Sequence, residues 1–454
     1  MMIVFLVVFI DLLGFGIVLP LLPRIAESYV TRIFPKDGVA AAAEPVLSMD
    51  ELARANPFAG FVVGMLMSSF SLMQFLFAPV WGRLSDRFGR RRILLIGLFG
   101  SVVFYALFGI AASLKPEEQA DVAMLLFFVA RIGAGISGAT ISTAMAVVAD
   151  CTPPDKRKHG MALIGAAFGI GFTFGPLIGF GCLYFHPGHM ELIGYTAAGM
   201  SLVAFLLGLA LLRETRVFGA ESTVRRYLFN WPATFQVLMN GAIGPVILTF
   251  FIASLGFGAF EVTLSLFLKD SFHFPEKDSF LIFAYVGFVL MLTQGFLYRR
   301  LATRWSEVTL MAIGIGFMAL GVALMGGISY IVAVSRSDQS LEGAVIGAVG
   351  NVASPGHSAG MYVALFTALT AAVVGFAFLT PSAQALISRR TSADRQGEVL
   401  GVNQSASAMA RILGPLLGLT LYKSTDTHLL PYIAGAILLL LMLPMLPRIR
   451  RGEV

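Results

Sequence analysis

Cysteine is almost missing from this chain. There are two in 454 residues, Cys151 and Cys182, too few for a disulfide framework. Charge is scarce as well: Asp, Glu, Lys and Arg make up 13% of the residues, against about 25% in an ordinary soluble domain. The six histidines, His159, His186, His189, His273, His357 and His428, fall in predicted loops or at helix ends, which leaves none for a relay inside the apolar segments. No Gly-x-x-x-x-Gly-Lys-Ser/Thr phosphate loop occurs, which argues against ATP-driven work. No His-Glu-x-x-His or other metal-ligand cluster occurs either, so no metal site and no catalytic residue is expected. Enzyme classes are thereby disfavoured, and no cofactor is implied.

What fills the chain instead is apolar. Hydrophobic residues make up 57% and the mean hydropathy is +0.83, more apolar surface than a soluble core can hide. Runs of about 20 apolar residues, the length that crosses a bilayer, recur twelve times: roughly at 2–23, 58–80, 93–113, 122–149, 160–184, 192–212, 243–268, 280–298, 308–334, 359–387, 398–422 and 429–447. The first run starts at Met1 without a basic n-region or cleavage site and reads as a retained span. The expected fold is an all-α membrane protein of twelve transmembrane helices.

Basic residues set the orientation. The loops after even-numbered spans, with the C-terminal tail, hold 21 Lys and Arg, and the alternate loops hold 9. By the positive-inside rule both termini are expected on the cytoplasmic side. The net charge of +6 is thus accounted for by short runs between spans, and no nucleic-acid partner is expected. Gly175-Pro176-Leu177-Ile178-Gly179 recurs as Gly414-Pro415-Leu416-Leu417-Gly418, and Leu84-Ser85-Asp86-Arg87 has an echo in Leu301-Ala302-Thr303-Arg304. Such internal duplication predicts two pseudo-symmetric six-helix bundles, residues 1–212 and 243–454, joined by a linker at 213–242 whose 225–231 stretch reads as an interfacial helix or tether. Two outer loops, 24–57 and 335–358, are unusually long. The first carries a capping-box pattern, Ser48-Met49-Asp50-Glu51, and neither is assigned chemistry.

Four ionisable residues lie within the predicted spans, where charge is costly and marks function by default: Asp11, Arg131, Glu261 and Arg411. Asp11 and Arg131 each fall about 15 Å along their spans, so they can meet near the midplane. Glu261 and Arg411 give the second half its own acid and base. Each pair reads either as a structural salt bridge or as a site where a change of access toggles a proton.

Between the second and third spans stands Gly82-Arg83-Leu84-Ser85-Asp86-Arg87-Phe88-Gly89-Arg90-Arg91-Arg92, read as a short basic turn. The spacing Gly-x-x-x-Asp-x-x-Gly-Arg-Arg resembles the loop signature of the major facilitator superfamily of secondary transporters. The run from Phe9 to Pro23, through Asp11-Leu12-Leu13-Gly14-Phe15-Gly16, is similar to the first helix of its twelve-helix drug:proton antiporters, tetracycline-efflux proteins in particular. Arg131-Ile132-Gly133-Ala134-Gly135 resembles their proton-coupling motif. Gly171-x-x-x-Gly175-Pro176-x-x-Gly179 resembles their helix-five antiporter motif, and Pro381–Leu386 with Asp394-Arg395-Gln396-Gly397 resembles the same branch near its end. Thr303 departs from the pattern where a second-half loop aspartate is expected.

The resemblance implies a proton-coupled secondary transporter, driven by the proton gradient alone, that exports small amphipathic organic compounds, tetracycline-like drugs among them, by alternating access. A facilitator-type importer or organic-anion or metabolite carrier on the same fold is the alternative, since fold does not fix function. Asp11, Arg131, Glu261 and Arg411 are expected to couple protons. Gly82, Asp86, Arg87, Gly89 and Arg90 are expected to form a conformational latch. Substrate-site candidates are the polar and aromatic residues at membrane depth, Phe15, Gln74, Phe257, Phe260, Gln294, Gln384, Asn403 and Gln404, with core packing or interhelical hydrogen bonding as the competing role for each. A monomer in the bacterial inner membrane, with protons, lipid and substrate as its partners, completes the expectation.

Overall fold

The computed structural model describes residues 2–18, 29–30, 32–33, 57–186, 188–216, 231–272, 276–346, 359–425 and 427–451. Most of the described chain is helical, because a backbone in hydrocarbon has to satisfy its own hydrogen bonds. Twelve long segments result: α1 (Met2–Val18), α2 (Pro57–Phe88), α3 (Arg90–Ser113), α4 (Pro116–Asp150), α5 (Arg157–Phe185), α6 (Glu191–Leu211), α7 (Gly244–Phe272), α8 (Glu276–Leu292, continued through Thr293–Leu297 to Leu301), α9 (Glu307–Ile346), α10 (Ala359–Arg389), α11 (Gln396–Lys423) and α12 (Leu430–Leu440, continued to Arg451). Among the described residues ten of these are long and apolar enough to cross a membrane. The other two are α1, which is short as described, and α11, whose polar stripe of Gln396, Asn403, Gln404, Ser405, Ser407 and Arg411 lowers its hydropathy.

The helices form two six-helix bundles related by an approximate two-fold. Within the first, α1 packs on α5 and α6, α3 on α4 and α6, and α2 on α4; within the second, α7 packs on α11 and α12, α9 on α10 and α12, and α8 on α10. Small residues allow the close approaches. A Cβ on Gly16 of α1 would meet the Gly171 carbonyl of α5 at 2.6 Å, and one on Gly414 of α11 would meet the Leu255 carbonyl of α7 at 2.8 Å, the small-residue packing expected where lipid leaves helices no hydrophobic drive to associate. Gly171 and Gly175 therefore serve the α1–α5 contact, and Pro176 sits inside α5. The bundles meet through α2 with α11, α5 with α8 and α10, and the end of α4 with α11.

The core shows which end is closed. Toward the face bearing the basic loops, hereafter the basic face, one apolar cluster draws on both bundles, from Val8, Met145 and Ile164 to Ile247, Leu386 and Leu400. Toward the opposite face each bundle has its own cluster, one around Phe108 and Phe127 and the other around Phe267 and Tyr432.

Two expectations are corrected. The stretch 82–92 is not a loop: α2 runs through Phe88 and α3 starts at Arg90, with Gly89 alone between them at φ +99°, a conformation that favours glycine. The predicted outer loop from 335 begins as helix, since α9 continues to Ile346. In the linker a helix forms at Trp231–Met239; the 225–230 part of the expected tether, the capping box at 48–51 and residues 347–358 lie outside the described residues.

Candidate transport site and cross-bundle seam

At the basic face the end of α2 meets the start of α11. The Asp86 carboxylate accepts the backbone N–H of Gly397 at 3.0 Å and that of Glu398 at 2.8 Å, and pairs with Arg90 Nη1 at 2.6 Å. It thus caps a helix of the other bundle at the end where unpaired N–H groups and the helix dipole favour an anion. Gly82 and Gly397 are in backbone contact, so that a Cβ on either would collide with the other's carbonyl oxygen. Arg90, fully buried, also pairs with Asp150 at 3.0 Å, and its own N–H is capped by Glu214, which accepts the Arg91 N–H as well. Arg87 sits over Phe88 and is exposed.

The second half repeats this cluster with inverted charge. The duplication that aligns Leu84–Arg87 with Leu301–Arg304 and Gly175-Pro176 with Gly414-Pro415 sets Arg90 against Glu307, Asp150 against Arg389 and Gly397 against Lys158. Glu307 pairs with Arg389 at 3.0 Å, as Arg90 does with Asp150, and faces Lys158 of the first bundle at 3.9 Å. Lys158 also donates to the Trp305 carbonyl at 3.0 Å. Thr303 holds no such place; its hydroxyl turns back to the Arg300 carbonyl. Asp150, Lys158, Glu214, Glu307 and Arg389 were missed from sequence. The signal that finds four of them is the duplication itself, followed past the loop into the helix ends.

From the basic face a seam of α2 against α11 runs to mid-membrane, about 20 Å by helical rise. Gly401 sits on Ala78 and Pro79, and the Ser405 hydroxyl donates to the Phe75 carbonyl. At the inner end Arg411 Nη2 donates to Gln74 Oε1 at 2.6 Å while Nη1 donates to Ser407 at 3.0 Å. The expected Glu261–Arg411 contact pair is not formed: among the described residues no ion pair within 4.0 Å joins them, although the two charges act on each other across the α7–α11 packing. The reason is geometric. Gly258 lies against Ala410 and Gly414, and the Arg411 side chain leaves that contact for the other bundle.

Arg131 is 2% exposed and lies over the Phe70 ring at 4.7 Å, a cation–π contact. Among the described residues its Nε and Nη1 have no hydrogen-bond partner. The Asp11 and Phe15 side chains lie outside the described residues; α1 turns Gly14 to Tyr105 and Ser201, and Gly16 to α5.

The remaining candidates divide. Phe257 stacks on Phe376 with centroids 4.1 Å apart, half-buried, while Phe260 is buried in the apolar core of the second bundle. Gln294 sits in the π-turn of α8, its Oε1 unpartnered and its Nε2 3.4 Å from the Ala377 carbonyl, over Gly165 of α5. Asn403 is fully buried with neither amide atom hydrogen-bonded. Gln384 and Gln404 are buried, and Gly179 is buried on α5.

A helical pair of bundles that share one core at one face and part toward the other is the architecture of an alternating-access transporter. The chain belongs to the Major Facilitator Superfamily, whose model matches residues 4–337 and 341–453; it is a membrane transporter and not an enzyme. Over 444 residues it is 27% identical to the class C tetracycline resistance protein of Escherichia coli, covering 97% of this chain and 94% of that one. It is 26% identical over 467 residues to major facilitator superfamily domain-containing protein 10 of Mus musculus, covering 96% and 90%. Its fold is similar to the crystal structure of the human organic anion transporter MFSD10 (TETRAN), with a TM-score of 0.75 at 24% identity and 98% coverage of both chains.

Proposed function

We propose that the protein is a proton-coupled antiporter that exports small amphipathic organic compounds across a bacterial inner membrane, with the basic face and both termini cytoplasmic. The excess of Lys and Arg on that face supports the orientation, and the similarity to tetracycline resistance proteins supports the substrate class. The observation that carries the coupling is the acid Glu261 inside α7, partly shielded from solvent and under the influence of Arg411, which has another partner available. A carboxylate so placed exchanges its proton as access changes, because burial and a movable cation act on it in opposite senses. The Asp86 cap on α11 holds the cytoplasmic side closed, and substrate and proton then exchange with the outer side.

Arg131 supports a second reading. Its buried guanidinium with two unpartnered nitrogens has the donors that a substrate carboxylate takes, and an organic-anion carrier would use them. Reconstituted vesicles separate the two. With an imposed proton gradient, a tetracycline-like substrate should accumulate against its own gradient and reverse direction when the proton gradient is reversed. Flux of an organic anion that ignores the proton gradient would replace the first reading with the second.

A further inference from the structure

We infer that Gln74 and Glu261 compete for Arg411, and that this exchange ties protonation of Glu261 to closure of the cytoplasmic side. Gln74 then is a positioning residue of the transport cycle, not a contact for substrate. The inference rests on the proton-coupled reading of Glu261.

Arg411 stands at the inner end of the α2–α11 seam, and its bond to Gln74 joins the two bundles at mid-membrane. The rest of the seam, nearer the basic face, holds backbone contacts, the Ser405 hydroxyl, the Asp86 cap and the Arg83–Glu398 ion pair at 4.0 Å. Opening toward the basic face separates α2 from α11 and breaks this bond. A guanidinium leaving a buried neutral amide needs another acceptor, since an unpaired buried charge is costly. Besides the Ser407 hydroxyl it already holds, the anionic acceptor within its own bundle is Glu261 on α7, the helix packed on α11 through Gly258, Ala259, Gly414 and Gly418. Among the described residues of the helices packed on α7, which are α8 to α12 and the linker helix, Arg411 is the charged group that acts on Glu261. The phenol of Tyr432 on α12 faces Thr263, two residues along.

The sign follows. Ionised Glu261 draws Arg411 to α7 and loosens the seam. Protonated Glu261 releases Arg411 to Gln74 and tightens it. By linkage, a bond formed in only one conformation shifts that equilibrium and the proton affinity by the same factor. Gln74 supplies the neutral partner this requires: a carboxylate there would hold Arg411 whatever the state of Glu261, and an apolar residue would never take it.

The test is the distance between spin labels on the cytoplasmic ends of α2 and α11, measured by pulsed EPR in the full-length protein from about pH 8 to about pH 5, a range that spans perturbed carboxylates. Wild type should shift toward the closed distance on acidification, by about tenfold in the closed-to-open ratio, the size of one charge-assisted bond. Gln74→Met, which keeps the side-chain shape, should lose that shift. Glu261→Gln should stay closed across the range with Gln74 present, and open when combined with Gln74→Met. Asp86 titrates with the opposite sign, since its protonation weakens the α11 cap, so the difference between wild type and Gln74→Met is the quantity read. An unchanged shift in Gln74→Met, or no shift in wild type, overturns the inference. Proton-driven transport assayed on the same samples keeps the two readings apart: drug transport that responds to the gradient without a Gln74-dependent shift leaves the antiporter reading standing alone, and a Gln74-dependent shift without coupled transport leaves the switch standing without the antiporter.

Discussion

Asp86 shows how much one side chain can do when its partners come from elsewhere in the chain. It accepts two backbone N–H groups of α11 and the Arg90 guanidinium, and each charge-assisted bond contributes about 1.5–3 kcal/mol. Asp86→Asn keeps one acceptor oxygen and loses the charge, so the closed state should lose about tenfold or more in population. Cysteine labelling from the basic face, with Cys151 and Cys182 replaced, reads that shift; an unchanged pattern would show that Asp86 does not hold the closed state. Gly89 is demanding for a different reason. At φ +99° any Cβ is strained, and here it would also strike the Glu214 carboxylate that caps α3. Gly89→Ala should therefore destabilise the folded protein by about 1–3 kcal/mol, seen as a lower melting temperature in detergent, with Glu214→Ala relieving the clash but not the strain. At the face opposite the basic one the Tyr29 phenol donates to the Leu114 carbonyl at 2.7 Å, and burial with nearby Glu191 and Glu117 pushes its ionisation up to about 12. The neutral form is the one that anchors. This contribution is full below about pH 10, the ordinary tyrosine value, and is lost as pH rises through about 12; Tyr29→Phe should abolish that alkaline loss in a proteolysis assay of the outer segment.

At the scale of elements the two halves solve the same problem with opposite charges. In the first, Arg90 on α3 answers Asp150 on α4; in the second, Glu307 on α9 answers Arg389 on α10. The cross-bundle partner changes to match, from the N-terminus of α11 facing Asp86 to the Lys158 ammonium facing Glu307. Thr303 carries no charge where an aspartate is expected, and the second half's cross-bundle charge stands one turn further on, at Glu307. Exchanging the pair, Glu307→Arg with Arg389→Glu, should restore the ion pair within the bundle and with it expression and thermal stability. Closure should stay impaired, because an arginine at 307 then faces Lys158 across the seam. Recovery of wild-type closure by the exchanged pair would mean that the Glu307–Lys158 contact has no part in it.

For the whole molecule, one apolar core bridges the bundles at the basic face and two separate cores stand toward the other. Alternating access demands that this asymmetry reverse, and rigid bundles can reverse it by rocking about the mid-membrane contacts. Label pairs on the ends of α2 and α11 away from the basic face should accordingly be far apart when the pairs at the basic face are close, and the two distances should change in opposite senses on adding substrate. Distances that change together would describe a breathing bundle and not a rocking one. The described contacts between α5 and α8, Gly165 with Gln294, Gly169 with Met291 and Gly287 with Thr173, run from the closed side to the middle of both helices.

The sequence by itself determined the class of molecule. Long apolar runs, basic residues between them and a duplicated Gly-Pro motif are local properties, each readable within about 20 residues, and together they specify twelve helices in two related bundles. The same local reading picked out Asp86, Gly89, Arg131 and Arg411, because charge within an apolar span or glycine beside a helix is conspicuous wherever the chain goes. Only the tertiary structure decided whom these residues meet. Asp86 caps a helix that starts at Gln396, Arg411 turns from Glu261 to Gln74, and Lys158 faces Glu307. Those partners lie up to 337 residues apart, on different bundles, with no periodic pattern linking them. A sequence states the charge a residue carries; the packing of two rigid bundles fixes which of several eligible partners comes within hydrogen-bond reach.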